Sequence, residues 1–154
     1  MQIMQTTFYC TALIGLVGFV TPACLGQWSN ATDPQQVVHD RAMEAFENQQ
    51  YALALQTFET LMTKAPSESS DAYVEANYFA AMSALALYHR DAVYRVNAFV
   101  EKFPESPLAL EARWELANYH YKRRNYSMAT QEFNQIRVRE LSKPRRDEYR
   151  FKLG

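Results

Sequence analysis

The sequence predicts an all-α fold, a right-handed superhelical stack of antiparallel helical hairpins, and three observations favour it. Apolar residues recur three and four positions apart from residue 34 nearly to the end, and no run alternates as a strand would. Small residues return at matching positions 38 and then 37 residues apart, which is typical of stacked repeats. Short links make successive segments antiparallel neighbours. A chain of 154 residues, 48% of them hydrophobic, has the size of one globular domain.

The first 26 residues are predicted to be a secretory signal peptide. Residues 8–25 form an uncharged, mostly apolar stretch that is short for a membrane span of about 20 residues, and the small residue Gly26 follows it. Cleavage after Gly26 leaves residues 27–33 as a linker before the first helix. Because no Lys or Arg precedes the apolar stretch, a retained N-terminal anchor stays the alternative.

Both cysteines, Cys10 and Cys24, lie within this segment. The domain that follows therefore has no disulfide, and its stability depends on packing. Cys24 comes directly after the small residue Ala23, as the lipid-carrying cysteine of a lipoprotein signal does, so Cys24 is a candidate lipidation site. Thr21 departs from that pattern, since lipoprotein signals prefer Leu at its position.

After residue 33 the pattern predicts six complete helices and the start of a seventh. Asp33 and Ser106 each precede a proline, which is typical of a helix start: the side-chain oxygen accepts from a first-turn N–H, and proline has no N–H to lose there. The stretches around Pro66 and Pro104 are predicted linkers, since proline cannot continue a helix. The predicted segments are Pro34 to Asn48, Tyr51 to Lys64, Asp71 to Tyr88, Asp91 to Lys102, Pro107 to Arg123, Tyr126 to Arg137, and one from Pro144 onward.

The helices group into hairpin units at residues 34–66, 71–104 and 107–143, and a fourth unit begins at residue 144. The repeated positions are Ala42, Ala80 and Ala117, then Ala54, Ala92 and Ala129 twelve residues later, then Phe58, Val96 and Phe133 four residues further on. Paired alanines let two helix backbones approach closely, and a large residue one turn away fills the space beside them. Because repeat arrays end in a polar capping helix, the interrupted fourth unit predicts that the chain is the N-terminal piece of a longer protein.

These positions resemble the tetratricopeptide repeat (TPR) family, whose unit is a helical hairpin of about 34 residues with small, aromatic and terminal proline positions. The third unit matches at Leu116-Ala117, Tyr121, Tyr126, Ala129 and Phe133, and the first at Ala42, Phe46, Tyr51, Ala54, Phe58 and Pro66. The second is degenerate, with His89 and Val96 where the family has rings. Residues 99–107 are further similar to bacterial envelope repeat proteins: BamD-like outer-membrane assembly lipoproteins, Tol-Pal-associated proteins and long Bacteroidetes repeat proteins. With the signal, the resemblance implies an exported protein, periplasmic or associated with the outer membrane.

The resemblance implies a non-enzymatic protein-interaction scaffold. In such repeats the first helices of the hairpins line a concave groove that binds a segment of a partner. The residues expected there are Met43, Phe46, Asn77, Trp114, Asn118, Tyr121 and Lys122, with His39, Glu47, Ala81, Ala84 and Leu85 beside them. A core position stays open for Trp114 and Tyr121, and Tyr119 is assigned to the core. The alternative function is a structural spacer or assembly platform, of the outer-membrane assembly or cell-division type.

Charge is divided along the chain. Residues 33–112 carry 5 basic and 12 acidic side chains, whereas residues 113–154 carry 11 basic and 5 acidic ones. The clustered basic side chains are Arg123, Arg124, Arg145 and Arg146. Such an end suits contact with an anionic membrane surface, while the plainer interpretation is a solvated face.

Signals for chemistry are weak. No Cys follows residue 33, no Gly-rich phosphate loop occurs, and His39, His89 and His120 lie far apart without metal-ligand spacing. We therefore expect no catalytic residue, metal, cofactor or small-molecule substrate. An exported protein rarely meets nucleic acid, so the expected partner is a protein or peptide.

Overall fold

The structure, a computed structural model, describes residues 33–153, and every regular element in that range is a helix. Seven α-helices lie there: α1 (Pro34–Glu47), α2 (Tyr51–Lys64), α3 (Asp71–Ala86), α4 (Ala92–Lys102), α5 (Pro107–Lys122), α6 (Tyr126–Asn134) and α7 (Lys143–Leu153). A short 3-10 helix, Val138–Glu140, lies between α6 and α7. The all-α prediction is confirmed.

The predicted export features fall outside this range. The signal peptide at residues 1–26, the lipidation candidate Cys24 and the linker up to residue 32 lie outside the described residues. Among the helices of residues 33–153, none is long and apolar enough to cross a bilayer.

Both proline-led helix starts are confirmed. The Asp33 carboxylate accepts from the backbone N–H of Gln35 at 3.0 Å, and the Ser106 hydroxyl accepts from that of Leu108 at 3.2 Å. Each bond satisfies a first-turn N–H group that has no carbonyl partner within its helix. These two caps fix where the first and third hairpins begin.

Neighbouring helices pack on each other along the chain, from α1 against α2 through to α5 against α6, and α3 also contacts α5 directly. The predicted repeat positions are buried, each at most 2% exposed: Ala42, Ala54, Phe58, Ala80, Ala92, Val96, Ala117, Ala129 and Phe133. A methyl group at a close contact leaves room for the second backbone. The burial of these repeated positions is therefore confirmed.

Three apolar clusters hold the helices together. The first lies among α1, α2 and α3 around Phe58, and the second lies among α3, α4 and α5 around Phe99. The third lies among α5, α6 and the segment after α6, around Phe133. The first two each combine one hairpin with the first helix of the next, so each hairpin is stabilised by its neighbour.

The three turns within the hairpins share one geometry. Gln49, Tyr88 and Arg124 follow α1, α3 and α5 with φ values of 60°, 55° and 61°. The next residue in each turn donates its N–H to the carbonyl five residues earlier, at 2.8 to 2.9 Å. In this helix-ending motif the left-handed residue is most often Gly, so three non-Gly residues here bear the steric cost of a Cβ in that conformation.

Glycine at a left-handed turn position is expected to stabilise the protein. Arg124→Gly relieves the Cβ clash, which outweighs the added freedom of the unfolded chain, and the expected gain in free energy of unfolding is about 0.5 to 1 kcal/mol by chemical denaturation. Asn48→Gly is the control, because the exposed Asn48 stands one residue before the left-handed Gln49, has a φ of −77° and gains nothing from glycine. The expectation is wrong if the two variants change stability alike.

Helix α6 ends at Asn134, three residues before the predicted Arg137. The amide of Ile136 donates to the carbonyl of Phe133 at 3.0 Å. This bond spans three residues, as in a 3-10 helix, and not the four of an α-helix. The chain then turns, and Ile136 and Leu141, 5% and 4% exposed, enter the third cluster. Burial of these two apolar side chains therefore decides where α6 ends.

Candidate partner-binding groove

A groove of about 420 Å³ crosses the first helices of the hairpins, with walls from α1, α3 and α5 and with α7 at one end. The lining residues are Phe46, Tyr51, Tyr78, Met82, Leu85, Ala86, Tyr88, Glu111, Glu115, Tyr119, Lys122 and Arg145. Five of the twelve are aromatic, so the groove offers large apolar faces with a few polar groups among them. That composition is typical of a binding site.

On α3 and α5, several groove-facing side chains lie one residue later in the sequence than the residues predicted to face it. On α3 the lining stripe is Tyr78, Met82 and Leu85, whereas the predicted stripe runs through Asn77 and Ala81. One residue advances an α-helix by about 100°. A shift of one position therefore moves a side chain from the groove onto a neighbouring helix, and Ala81 is accordingly 1% exposed.

Two of the seven predicted groove residues, Phe46 and Lys122, line the groove, as does Leu85 beside them. Met43 instead packs half-buried against the first cluster, and Asn77 is half-buried on α3 away from the lining. Tyr119, assigned to the core, both packs on the second cluster and lines the groove. The core assignment of Tyr119 is therefore incomplete.

The expected flanking residues also lie elsewhere. His39 meets the Phe58 ring edge-on, with ring centres 6.3 Å apart, and its Nε2 lies 3.4 Å from a Glu75 carboxylate oxygen. Ala84 is fully buried in the second cluster, and Glu47 is exposed at the end of α1. None of these three flanking positions contributes to the groove lining.

Helix α7 covers the remaining predicted groove residues, Trp114, Asn118 and Tyr121. Trp114 is 3% exposed and Asn118 is 7% exposed. The Lys152 ammonium lies 5.7 Å from the Trp114 ring centre and 5.2 Å from that of Tyr121, and it donates to Asn118 Oδ1. The expectation of an open surface here is corrected, because Trp114 takes the core position and these side chains hold α7.

Charge in the groove is unevenly compensated. Arg145 on α7 donates to Glu111 at 2.5 Å. Among residues 33–153, Glu115 joins no ion pair or side-chain hydrogen bond. Burial raises the pKa of Glu115, while Lys122 and Arg145 act against that rise. Burial, with Glu111 and Glu115, also raises the pKa of Tyr78 to about 12.

The chain matches no protein-family model, no curated protein and no solved structure. Within residues 33–153 no group of three or more His, Cys, Asp or Glu side chains is placed to hold a metal ion. An aromatic groove with a half-buried carboxylate that forms no ion pair within the described residues is suited to binding.

A larger hollow, of about 600 Å³, lies beside the linker before α5 and is lined in part by Arg113, Arg137 and Glu140. Arg137 and Glu140 form an ion pair at 3.2 Å, and Arg113 lies 3.7 Å from Glu132. No aromatic side chain lines this hollow. With most of its charges paired and no aromatic side chain in its lining, it is a weaker candidate than the groove.

The predicted basic surface is partly engaged within the chain. Arg123 donates to the Tyr119 hydroxyl at 2.8 Å and lies over the Tyr88 and Tyr119 rings. Arg145 pairs with Glu111. Arg124 is exposed in its turn, and Arg146 is half-buried on α7. Two of the four guanidinium groups therefore already have partners among the described residues.

Proposed function

We propose that this protein is an exported, non-enzymatic interaction scaffold that binds a segment of a partner protein in the groove across α1, α3 and α5. The observation that carries the proposal is the groove itself, with its five aromatic side chains. Aromatic side chains give large contact areas for little loss of conformational entropy and are enriched at protein interfaces, while the flexible Met side chain adapts to the shape of a partner. The partner is a protein or peptide of the bacterial cell envelope, and binding needs no cofactor.

The scaffold is of the tetratricopeptide type, with its hairpins continuing as a right-handed superhelix. Repeated side-chain geometry supports this assignment. Phe46 and Tyr51 meet edge-on with ring centres 5.5 Å apart, and Tyr121 and Tyr126 do so at 5.4 Å across the third hairpin. The degenerate second hairpin has His89 at this position, and its Nδ1 contacts an Asp91 carboxylate oxygen instead.

Binding rests on a preformed surface. Tyr78 and Tyr119 line the groove and also pack on the second cluster, so the fold itself fixes their ring positions. A rigid site loses little entropy when a partner binds. The partner segment bears most of the ordering cost, and its affinity depends on how well its side chains fill the groove.

A groove-filling variant tests the proposal. Ala86 lines the groove and is exposed, so Ala86→Trp blocks the groove without burying a misfit in the core. Ala52, exposed on α2 and outside the groove lining, gives the matched control Ala52→Trp. In pull-downs from envelope extract with the full chain as bait, a partner captured by the wild type is expected to be lost with Ala86→Trp and kept with Ala52→Trp.

If Ala86→Trp and Ala52→Trp both still capture the partner, groove binding is contradicted. It would favour the alternative that these hairpins are a spacer or assembly platform. In that case partners bind outside the groove, and its aromatic side chains serve only packing.

A further inference from the structure

Two charged side chains of the groove, Glu115 and Lys122, form no ion pair within residues 33–153, and of these two only Glu115 is half-buried. Glu115 is half-buried on α5 and joins no ion pair or side-chain hydrogen bond within residues 33–153. Its neighbour on the same face, Glu111, is paired with Arg145. A partly desolvated carboxylate without a partner costs stability, and a ligand that brings the opposite charge removes that cost.

Tyrosine side chains line the same groove as this carboxylate. Tyr78 and Tyr119 are among them, and the charges of Glu111 and Glu115 add to the burial that raises the pKa of Tyr78. Ring faces attract cations, most strongly where water is excluded. The chain uses this interaction outside the groove, where Lys102 lies 4.8 Å from the Tyr73 ring centre. Within the groove, Arg123 already lies over Tyr119, 5.4 Å from its ring centre, whereas no cation of residues 33–153 lies over the Tyr78 ring.

From this complementarity we infer that the groove takes a basic side chain, a Lys or Arg of the partner segment, which lies against the Tyr78 ring and pairs with the Glu115 carboxylate. The inference rests on the proposed function, since it names the chemistry of the segment that the groove binds. Apolar side chains on either side of that Lys or Arg pack on Met82 and Leu85.

An acidic segment is the less suitable occupant because most of the nearby cations are engaged. Arg145 pairs with Glu111, and Lys152 donates to Asn118 and Glu148. Lys122, exposed on the rim, acts on the Glu115 pKa without forming an ion pair with it. A cationic ligand therefore gains from Glu115 and is repelled by Lys122.

Glu115→Gln removes the charge of this side chain, and the variant is expected to fold as the wild type does. Burial raises the folded-state pKa of Glu115. The protonated side chain therefore stabilises the folded protein below the unfolded-state pKa of about 4.3, and this stabilisation is lost as the pH rises through the folded-state pKa. At pH 7 the charge destabilises the protein. Glu115→Gln is therefore expected to melt at or above the wild-type temperature at pH 7, so loss of binding cannot be attributed to unfolding.

The test is selection of a random twelve-residue peptide library against the immobilised full chain. Peptides bound by the wild type are counter-screened against Ala86→Trp, which blocks the groove. We expect the groove-dependent peptides to be enriched in Lys or Arg, and Glu115→Gln to weaken their binding about tenfold or more. Norleucine in place of the basic residue is expected to cause the same loss, and Lys122→Ala to leave affinity equal or higher.

The outcomes separate this inference from the proposed function. Groove-dependent peptides without enriched basic residues, or unaffected by Glu115→Gln, overturn the inference and leave groove binding intact. Acidic peptides weakened by Lys122→Ala also overturn the inference. If no selected peptide depends on the groove, both the inference and the proposed function fail.

Discussion

Ala54→Glu is expected to lower the free energy of unfolding by about 4 kcal/mol or more and to unfold the first hairpin. Ala54 is fully buried where α2 meets its neighbours. A Glu side chain there is too large for the close helix contact and places an unpaired carboxylate in an apolar cluster. Far-ultraviolet circular dichroism during chemical denaturation measures the loss.

Ala52→Glu is the matched control. Ala52 lies two residues earlier on the same helix and is exposed, so the same substitution there is expected to change stability by less than about 0.5 kcal/mol. If Ala54→Glu keeps the wild-type helicity and melting midpoint, the repeat register is wrong. The same contrast is expected for Ala92→Glu and Ala129→Glu, since both alanines are buried at the equivalent position.

Phe133→Ala is expected to destabilise the protein by about 3 to 5 kcal/mol. The Phe133 side chain is fully buried, and its ring meets those of Trp114 and Tyr149 edge-on, with centres 5.4 and 5.8 Å away. The substitution leaves a cavity at the point where α5, α6 and α7 meet. Because Tyr149 belongs to α7, hydrogen exchange is expected to show α7 amides losing protection first.

Phe151→Ala serves as the control for that experiment. Phe151 is on α7 with 79% of its surface exposed, so its removal is expected to change the free energy of unfolding by less than about 0.5 kcal/mol. Equal losses from Phe133→Ala and Phe151→Ala would contradict the packing of α7 on the third cluster.

The sequence predicts the helices and their buried contacts well because both follow from strong local signals. Asp33-Pro34 and Ser106-Pro107 are complete helix-start signals within two residues. The repeated alanines predict close contacts because helix backbones cannot approach as closely across larger side chains. Helix ends are harder to predict, because α6 ends where Ile136 and Leu141 pack into the third cluster.

The sequence predicts where the hairpin turns lie, but not from the residue types found in them. Their left-handed residues are Gln49, Tyr88 and Arg124, none of them a residue type that favours this conformation. Short links still predicted the turns, because two packed helices joined by so few residues have to reverse there.

The groove was only partly predictable for a geometric reason. Which helices line it follows from the repeat pattern, but which side chains face it depends on rotation about each helix axis. An error of one residue replaces Glu115 by Trp114. The spacing of Glu111, Glu115 and Tyr119, four residues apart, marks one helix face and was the available signal. Lys152 covers Trp114 through a tertiary contact, which no local sequence pattern predicts.

Site-specific photo-crosslinking tests groove binding most directly. Benzoylphenylalanine replaces Tyr88, which lines the groove and is 60% exposed, or Tyr94, which is 74% exposed on α4 and outside the groove lining. Both sites already hold an exposed aromatic residue, so both variants are expected to fold as the wild type does. After irradiation of living cells, we expect a crosslinked partner at position 88 and none at position 94. Crosslinks at position 94 with none at position 88 would contradict a partner-binding groove across α1, α3 and α5.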